Sequence, residues 1–224
     1  AELSDEIHGT PVILATENVE SEILRRDLGN ASSPVHRVRD WLEWRKLKDY
    51  ECKMVRRFRV LVAVSELDQQ KLRAMAPMAE VQLVSNGVDT QAFAPRGSDR
   101  EDNRILFFGT LNYGPNAEGV LWFCREVLPR VRLQVPNAWL AIVGKDAPER
   151  VRDLAAQPGV KHIGFVPDVR PELWSATLSV APLLSGGGTR LKILEALAAE
   201  CPVVSTSVGA EGLEVVHGEH MIIA

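Results

Sequence analysis

The second half of the chain alternates short apolar runs with longer segments in which apolar residues recur every three or four positions. The runs predict strands at 105–108, 139–143, 160–165, 178–183 and 201–205. The segments between them predict helices over 116–131, 148–156, 169–175 and 189–199. Strands that are apolar throughout and separated by helices favour a doubly wound, parallel-sheet α/β domain. Such sheets bind ligands beyond the carboxyl ends of their strands.

The first half predicts a second, smaller α/β portion. Its strands are expected at 11–15, 60–64 and 81–84, and its helices at 20–28, 35–59 and 66–76, the last capped by Ser65. The polar, turn-rich stretch 95–103 predicts a linker. We therefore expect a partial N-terminal domain over 1–94 and a C-terminal domain over 104–224. Both ends look cut, which predicts that each domain is incomplete.

Composition excludes several classes of function. A net charge of −4 over 224 residues gives no general attraction to nucleic acid, and no apolar run is long enough to span a bilayer. The three cysteines, Cys52, Cys124 and Cys201, are far apart, which suggests reduced thiols in a cytoplasmic protein. No His, Cys or carboxylate set has the spacing of a metal site, so no metal is expected.

The run SGGGTRLKILE at 185–195 is the most informative local feature. Its three glycines, Gly186, Gly187 and Gly188, lack the Cβ atoms that would obstruct close approach of an anion. The helix predicted after them directs its unpaired N–H groups and positive dipole end to the same point. Arg190 and Lys192 lie in the first predicted turn, where a cation is unfavourable unless an anion is bound. This arrangement predicts a phosphate site.

Glu195 extends that prediction to a nucleoside. On a helical wheel Leu191, Leu194 and Ala198 form the apolar stripe, and Glu195 falls at its edge. A carboxylate there suits a sugar hydroxyl one turn below a bound phosphate. The alternative interpretation makes the loop merely flexible, the two cations solvated, and Glu195 the ion-pair partner of Lys192. The residues alone leave both interpretations open.

Seven short motifs follow one another in a specific order. They are VLVAVSE at 60–66, SNGVD at 85–89 followed by Phe93 and Pro95, FFG at 107–109 with YGPN at 113–116, IVG at 142–144, GFVPD at 164–168, LEALA at 194–198 and PVVS at 202–205. Together they resemble the group 1 (family 4) glycosyltransferases of the GT-B fold over nearly the whole chain. The resemblance implies retaining transfer of a sugar from a nucleotide-diphosphate sugar to a glycan, lipid or other acceptor. It also implies chemistry without a cofactor or a metal, and the chain has no Asp-x-Asp motif.

The resemblance implies a role for individual residues at the donor diphosphate and nucleoside. Glu195 matches the glutamate that binds the donor ribose, whereas Gly187 stands where the family commonly has a first glutamate that contacts the transferred sugar. The backbone from Gly188 through Thr189 to Leu191 is expected to meet the diphosphate. Arg190 and Lys192 are expected to stabilise the leaving diphosphate.

Further positions complete the site that the resemblance implies. Phe165 and Val166 correspond to the segment that receives the nucleobase, and Gly109 and Asn112 belong to the loop after the first strand of the C-terminal domain. Near the N-terminus Glu17 replaces a histidine that lies near the transferred sugar in relatives. Because the family's first strands lie outside this sequence, we expect this stretch alone to be inactive.

The segment 36–59 carries nine Lys or Arg residues against four Asp or Glu residues, together with Trp41 and Trp44. A basic amphipathic helix of this kind can lie on the anionic inner face of a membrane, which predicts peripheral membrane contact. The alternative is a solvated helix whose tryptophans pack on the rest of its own domain. Of these two alternatives, the solvated helix is the more common case.

Two other functions remain open at this stage. A nucleotide-sugar epimerase of the GT-B architecture needs no separate acceptor, and a non-catalytic nucleotide-binding module fits the replacements at Gly187 and Glu17. A plain dinucleotide-binding domain is disfavoured because no Gly-x-Gly-x-x-Gly follows the first strand of either half. The residues do not identify the sugar, the nucleobase, the acceptor or the oligomeric state.

Overall fold

A computed structural model describes residues 11–27, 34–97, 100–187 and 189–224. It divides into two compact units, the first formed by 1–86 with 185–189 and the second by 87–184 with 190–224. This division falls earlier in the chain than the boundary expected near residue 95. Thr90–Phe93, a short helix before that boundary, belongs to the second unit, where Phe93 packs against a buried cluster.

The first unit contains a three-stranded parallel sheet in the order β1-β2-β3. Its elements are β1 (Ile13–Thr16), α1 (Glu20–Asp27), α2 (Pro34–Val55), β2 (Val60–Ala63), α3 (Glu66–Met75) and β3 (Glu80–Leu83). The expected N-cap is confirmed, since the Ser65 side chain accepts a hydrogen bond from the Asp68 N–H. A small apolar core lies around Leu61, Leu72 and Val81.

Glu51 of α2 caps the neighbouring helix α1. Its carboxylate accepts hydrogen bonds from the backbone N–H groups of Glu20 (2.8 Å) and Ser21 (3.2 Å) and from the Ser21 hydroxyl. The first turn of a helix has N–H groups without intrahelical partners, and an anion there also complements the helix dipole. Glu51 thus joins the two helices through one charge-assisted contact.

The second unit contains a six-stranded parallel sheet in the order β6-β5-β4-β7-β8-β9. Its strands are β4 (Arg104–Phe108), β5 (Trp139–Val143), β6 (Val160–Gly164), β7 (Leu178–Ala181), β8 (Val203–Ser205) and β9 (Ile222–Ile223). From β4 the chain adds β5 and then β6 on one side of the sheet. It then returns to the other side of β4, where β7, β8 and β9 follow in order. The predicted doubly wound parallel sheet is therefore confirmed, with its topological switch point between β4 and β7.

Helices cover both faces of this sheet. They are α4 (Thr90–Phe93), α5 (Gly114–Trp122), α6 (Leu128–Gln134), α7 (Glu149–Arg152), α8 (Arg170–Ser175), α9 (Leu191–Ala198) and α10 (Ser207–Ala210). Two separate apolar cores result, one around Phe107, Leu140 and Ile142 and the other around Leu106, Ala141 and Ile193. Neighbouring residues of β4 alternate between them, which explains why these strands are apolar throughout.

Several predicted boundaries were wrong. The helix expected over 116–131 begins at Gly114 and is interrupted by a π-helical turn, Phe123–Val127, before α6. Pro129 accounts for the wider turn, because proline cannot donate a hydrogen bond and its ring crowds the carbonyl four residues earlier. The helix expected to reach residue 59 ends at Val55, and α7 continues only as the 3₁₀ turn Asp153–Ala156. Helices α4 and α10 and strand β9 were not predicted.

The face that α9 buries also differs from the prediction. The expected stripe of Leu191, Leu194 and Ala198 is not the buried one, since Leu191 is 44% exposed. Ile193 and Ala196 are buried instead and pack in the second core. The buried face of α9 is therefore the one that packs against the second core. No described helix is both long enough and apolar enough to cross a membrane.

Candidate functional site

The carboxyl ends of β4 and β7 form the candidate site of the second unit. Gly109 follows β4 directly, and α9 is the helix that follows β7. These two strands flank the switch point, where the connections leave in opposite directions and open a crevice between them. The sheet topology therefore places the residue after β4 and the start of α9 at the same ligand-binding edge.

Two glycines allow the backbone at this edge to approach its neighbours closely. Gly109 has a φ of 151°, and its N–H donates to the carbonyl of Val143 at 3.0 Å. A Cβ on Gly144, which follows β5, would overlap the carbonyl oxygen of Gly109. Both positions thus require glycine, and the β4 and β5 ends lie against each other without intervening side chains.

Lys192 directs its ammonium group towards Gly109 at the end of β4. The Nζ atom donates to Oδ1 of Asn116 at 2.7 Å and lies 4.6 Å from the centre of the Phe107 ring. A Cβ on Gly109 would lie 2.8 Å from the same Nζ atom. The bare backbone at Gly109 therefore makes the space that the ammonium group occupies.

Burial is the main reason that the pKa of Lys192 is lowered from 10.5 to about 7. The positive charge of Arg190 acts in the same direction, and the carboxylate of Glu195 opposes both. Lys192 as a whole is only partly buried, and its ammonium group lies against the Asn116 amide and the Phe107 ring. A desolvated cation at a helix N-terminus is a favourable place for an anion.

Glu195 lies one turn after Lys192 and is half-buried. Burial raises the pKa of its carboxyl group, and the nearby Lys192 partly offsets the increase. The charges of Lys192 and Glu195 thus influence each other's pKa, which does not require a direct ion pair. The expected contact of Glu195 with a sugar hydroxyl stays a prediction.

Asn116 was quoted in a motif but not predicted as a site residue. It lies in the first turn of α5 and is only 7% exposed. Its Nδ2 atom donates to the carbonyl of Thr110 at 2.8 Å, while its Oδ1 atom accepts from Lys192. The signal that could have found it is the position of YGPN directly after the β4 end, where polar side chains commonly meet ligands.

The other predicted residues lie in different places. Arg190 is buried at the N-cap of α9, one residue before the helix begins, and was therefore misplaced within the first turn. Asn112 directs its Nδ2 atom towards Asp146, 3.5 Å away. Phe165 is 69% exposed after β6, and Val166 packs against the second core. None of these observations assigns a ligand contact, so the predicted roles stay predictions.

Part of the glycine-rich loop belongs to the first unit. A Cβ on Gly187 would lie 2.9 Å from Cγ1 of Ile23, and the Thr189 hydroxyl donates to the carbonyl of Val64 at 3.4 Å. Gly186 has a φ of 122°, a conformation that favours glycine. Gly188 lies outside the described residues. Glu17 is exposed directly after β1.

A comparison with known families decides the classification. The sequence family described as glycosyl transferases group 1 matches residues 102–224. The chain belongs to the group 1 glycosyltransferases. This match begins two residues before β4 and includes the β4–β7 switch point, Lys192 and Glu195.

Two bacterial proteins are similar in sequence to this group 1 family member. It is 30% identical over 134 residues to an uncharacterized 44.6 kDa protein in the cps region of Klebsiella pneumoniae, covering 56% of this chain and 34% of that protein. It is 27% identical over 173 residues to a phosphatidyl-myo-inositol mannosyltransferase of Mycolicibacterium smegmatis, covering 73% of this chain and 42% of that enzyme. The chain thus spans less than half the length of these relatives.

Solved structures show the same fold. Anabaena HepE in complex with UDP-glucose superposes with a TM-score of 0.72 at 16% identity, over 99% of this chain and 60% of HepE. Sucrose-phosphate synthase of Thermosynechococcus elongatus gives 0.73 at 17% identity, over 99% of this chain and 56% of that one. These neighbours are GT-B glycosyltransferases, so the predicted GT-B type of parallel-sheet α/β fold is confirmed.

Among the described residues, no group of three or more His, Cys, Asp or Glu side chains is placed to hold a metal ion. The polar groups at the switch point are instead an ammonium, an amide and a carboxyl group, from Lys192, Asn116 and Glu195. This set can bind an anion and a neighbouring hydroxyl group.

Proposed function

We propose that the protein is a retaining glycosyltransferase that transfers a sugar from a nucleotide-diphosphate sugar to a glycan or lipid-linked acceptor. The observation that carries the proposal is the enclosed ammonium group of Lys192 at the β4–β7 switch point. It is held by a neutral amide rather than by a carboxylate, so its charge is available to an anionic ligand. The donor diphosphate is the anion that the family match supports.

The chemical task of the site is to stabilise negative charge on the departing diphosphate. Sugar transfer proceeds through an oxocarbenium-like state while that charge grows, and preorganised donors stabilise it best in a site that excludes water. The ammonium form of Lys192, which a bound anion favours, supplies a positive charge, and the start of α9 supplies N–H groups and the positive end of the helix dipole. Glu195, one turn later, accepts hydrogen bonds from the ribose hydroxyls.

The relatives support the donor class but not its details. HepE was solved with UDP-glucose, and the mycobacterial relative is named for mannosyl transfer to a phosphatidyl-myo-inositol. A nucleotide-diphosphate donor is therefore the common element that we carry to this chain. Retention of anomeric configuration follows from the resemblance to family 4 and is part of the proposal.

Titration calorimetry separates the roles of the two residues. We expect Lys192→Met to weaken binding of both pyrophosphate and UDP, GDP or ADP by about 10- to 100-fold, the range of one hydrogen bond to a charged group. We expect Glu195→Gln to weaken nucleotide binding and leave pyrophosphate binding unchanged, because only the nucleoside reaches the carboxylate. Lys161→Met is the matched control, because it also replaces a lysine by methionine but does so near the start of β6, where Lys161 stacks on Trp139.

Turnover is tested by proton NMR of the anomeric signals after incubation with a sugar nucleotide and an acceptor panel. A product with the donor's anomeric configuration supports retaining transfer, and inversion contradicts it. Isomerised sugar nucleotide without any acceptor supports an epimerase instead. If neither pyrophosphate nor any nucleotide binds the wild-type protein, the proposed donor site is wrong.

Peripheral membrane contact is the second part of the proposal. Val38, Trp41 and Leu42 are exposed on α2 at helical spacing, and the Arg45 guanidinium lies 5.5 Å from the Trp41 ring centre. Aromatic rings with stacked cations suit the headgroup region of an anionic bilayer. Liposome sedimentation should show salt-sensitive binding that Trp41→Ser reduces. Absence of sedimentation with anionic vesicles would favour the solvated helix.

A further inference from the structure

One amide connects three separate parts of the second unit. Asn116 belongs to α5, its Nδ2 atom donates to the carbonyl of Thr110 in the loop after β4, and its Oδ1 atom accepts from Nζ of Lys192 on α9. Both bonds lie within 2.8 Å. Because the Thr110 carbonyl accepts from the NH₂ group, the amide orientation is fixed and its oxygen must face the lysine.

The neutrality of this partner matters for the lysine. A buried ammonium group is costly unless it is hydrogen-bonded, and a carboxylate partner would neutralise its field. The Asn116 oxygen satisfies one of the three N–H donors without cancelling the charge. A site that must attract a diphosphate needs a cation that is held in place and still uncompensated, and an amide provides both.

We propose that Asn116 is a positioning residue that holds the Lys192 ammonium group, in its charged form, at the β4–β7 switch point. The part that concerns ligand affinity rests on the proposed donor site. Asn116 itself points its amide to protein groups, so it acts on the ligand through Lys192. Removing the amide oxygen should therefore lower the tendency of Lys192 to carry a proton.

The groups around Lys192 make this effect visible in its titration. Arg190 and Glu195, on its own segment, oppose each other, while α5 and β4 present the neutral Asn116 amide and the Phe107 ring. The Asn116 oxygen is thus the polar contact that these two elements offer to the charged form. Loss of a hydrogen bond to a charged group shifts a pKa by about one to two units.

The first measurement is the pKa of Lys192 in the free protein. Competitive acetylation over a pH series, quantified by peptide mass spectrometry, reports the neutral fraction of each lysine. We expect Asn116→Leu to lower the pKa of Lys192 and Asn116→Asp to raise it. The control Asn137→Leu changes an exposed amide before β5 and should leave it unchanged. A purely structural role for Asn116 does not predict shifts of opposite sign.

The second measurement is pyrophosphate and UDP affinity at pH 6 and pH 8. If the pKa falls by one unit from about 7, the charged fraction at pH 8 falls about tenfold, whereas at pH 6 it falls about twofold. We therefore expect Asn116→Leu to weaken binding about tenfold at pH 8 and much less at pH 6. Comparing variant with wild type at each pH removes the ligand's own titration.

The two measurements distinguish this inference from the proposed function. An unchanged Lys192 pKa in both Asn116 variants overturns the positioning role, even if nucleotides bind. Absence of any pyrophosphate or nucleotide binding by the wild-type protein overturns the donor site, while the acetylation series still decides the role of Asn116. If Asn116→Leu does not fold, the smaller Asn116→Ala variant, which also removes the amide oxygen, takes its place in both measurements.

Discussion

A buried lysine with a lowered pKa should make the protein less stable as the pH falls. Folded Lys192 binds its proton with a pKa of about 7, against 10.5 in the unfolded chain. Between these two values the unfolded state holds more protons than the folded state, so the free energy of unfolding decreases as pH falls through this window. Below about pH 7 both states are charged and the loss is complete.

The magnitude follows from the two pKa values. Linkage between pH 8.5 and pH 6 amounts to about 2 kcal/mol, and we halve it to about 1 kcal/mol because part of the side chain remains accessible. The upper limit of pH 8.5 avoids the range in which a buried cysteine, Cys124, with its pKa raised to about 12, contributes with the opposite sign.

Lys192→Met isolates this contribution, because methionine has similar length and no charge. Urea denaturation followed by circular dichroism gives the free energy of unfolding of both proteins at the two pH values. We expect the stability of the wild type relative to Lys192→Met to decrease by about 1 kcal/mol from pH 8.5 to pH 6. The double difference cancels all groups that titrate equally in both proteins.

Two outcomes would contradict the reasoning. If the stability difference is the same at both pH values, the ammonium group is not desolvated and its pKa is ordinary. If the wild type instead gains stability relative to the variant at pH 6, the pH dependence has the wrong sign for a lysine whose pKa is lowered on folding. Lys161→Met, which removes an exposed cation elsewhere in the second unit, should show no such dependence.

Two further predictions concern packing contacts away from the site. Glu51→Gln should lower the free energy of unfolding by about 1–2 kcal/mol, because the charged cap of α1 that reaches Ser21 is replaced by a neutral one. Urea denaturation measures this, and Glu43→Gln on the exposed side of α2 should change little. Burial raises the pKa of Cys124 to about 12, so iodoacetamide at pH 8 should not modify Cys124 in the folded protein. Peptide mass spectrometry that finds Cys124 alkylated as fast as the half-buried Cys52 would show that the thiol is accessible.

The predicted strands of both sheets exist because their signal is local. Continuous apolar runs bury both faces of a parallel strand, and β4 and β5 confirm this with every residue from Ile105 to Phe108 buried. The Ser65 cap is equally local, since its partner lies three residues away. Helix ends were less accurate, because the π-helical turn before Pro129 and the short helices depend on packing as much as on propensity.

The α9 segment shows where local reasoning fails. The wheel correctly identified an apolar helix after a glycine-rich loop, but it assigned the buried face to Leu191 rather than to Ile193 and Ala196. Both stripes are apolar, so periodicity could not distinguish them. The packing of Ile193 and Ala196 in the second core decided between them, and that contact exists only in the assembled domain.

The sequence by itself determined the α/β alternation, the glycine-rich loop, the family and the residue types able to bind an anion, because each is encoded by neighbours along the chain. Only the tertiary structure brought Asn116 and Lys192 together, across a sequence separation of 76 residues. It also decided that β4 and β7 are adjacent and that the lysine ammonium group is enclosed. Desolvation depends on everything that packs around a charge, so no local pattern could have predicted the altered pKa of Lys192.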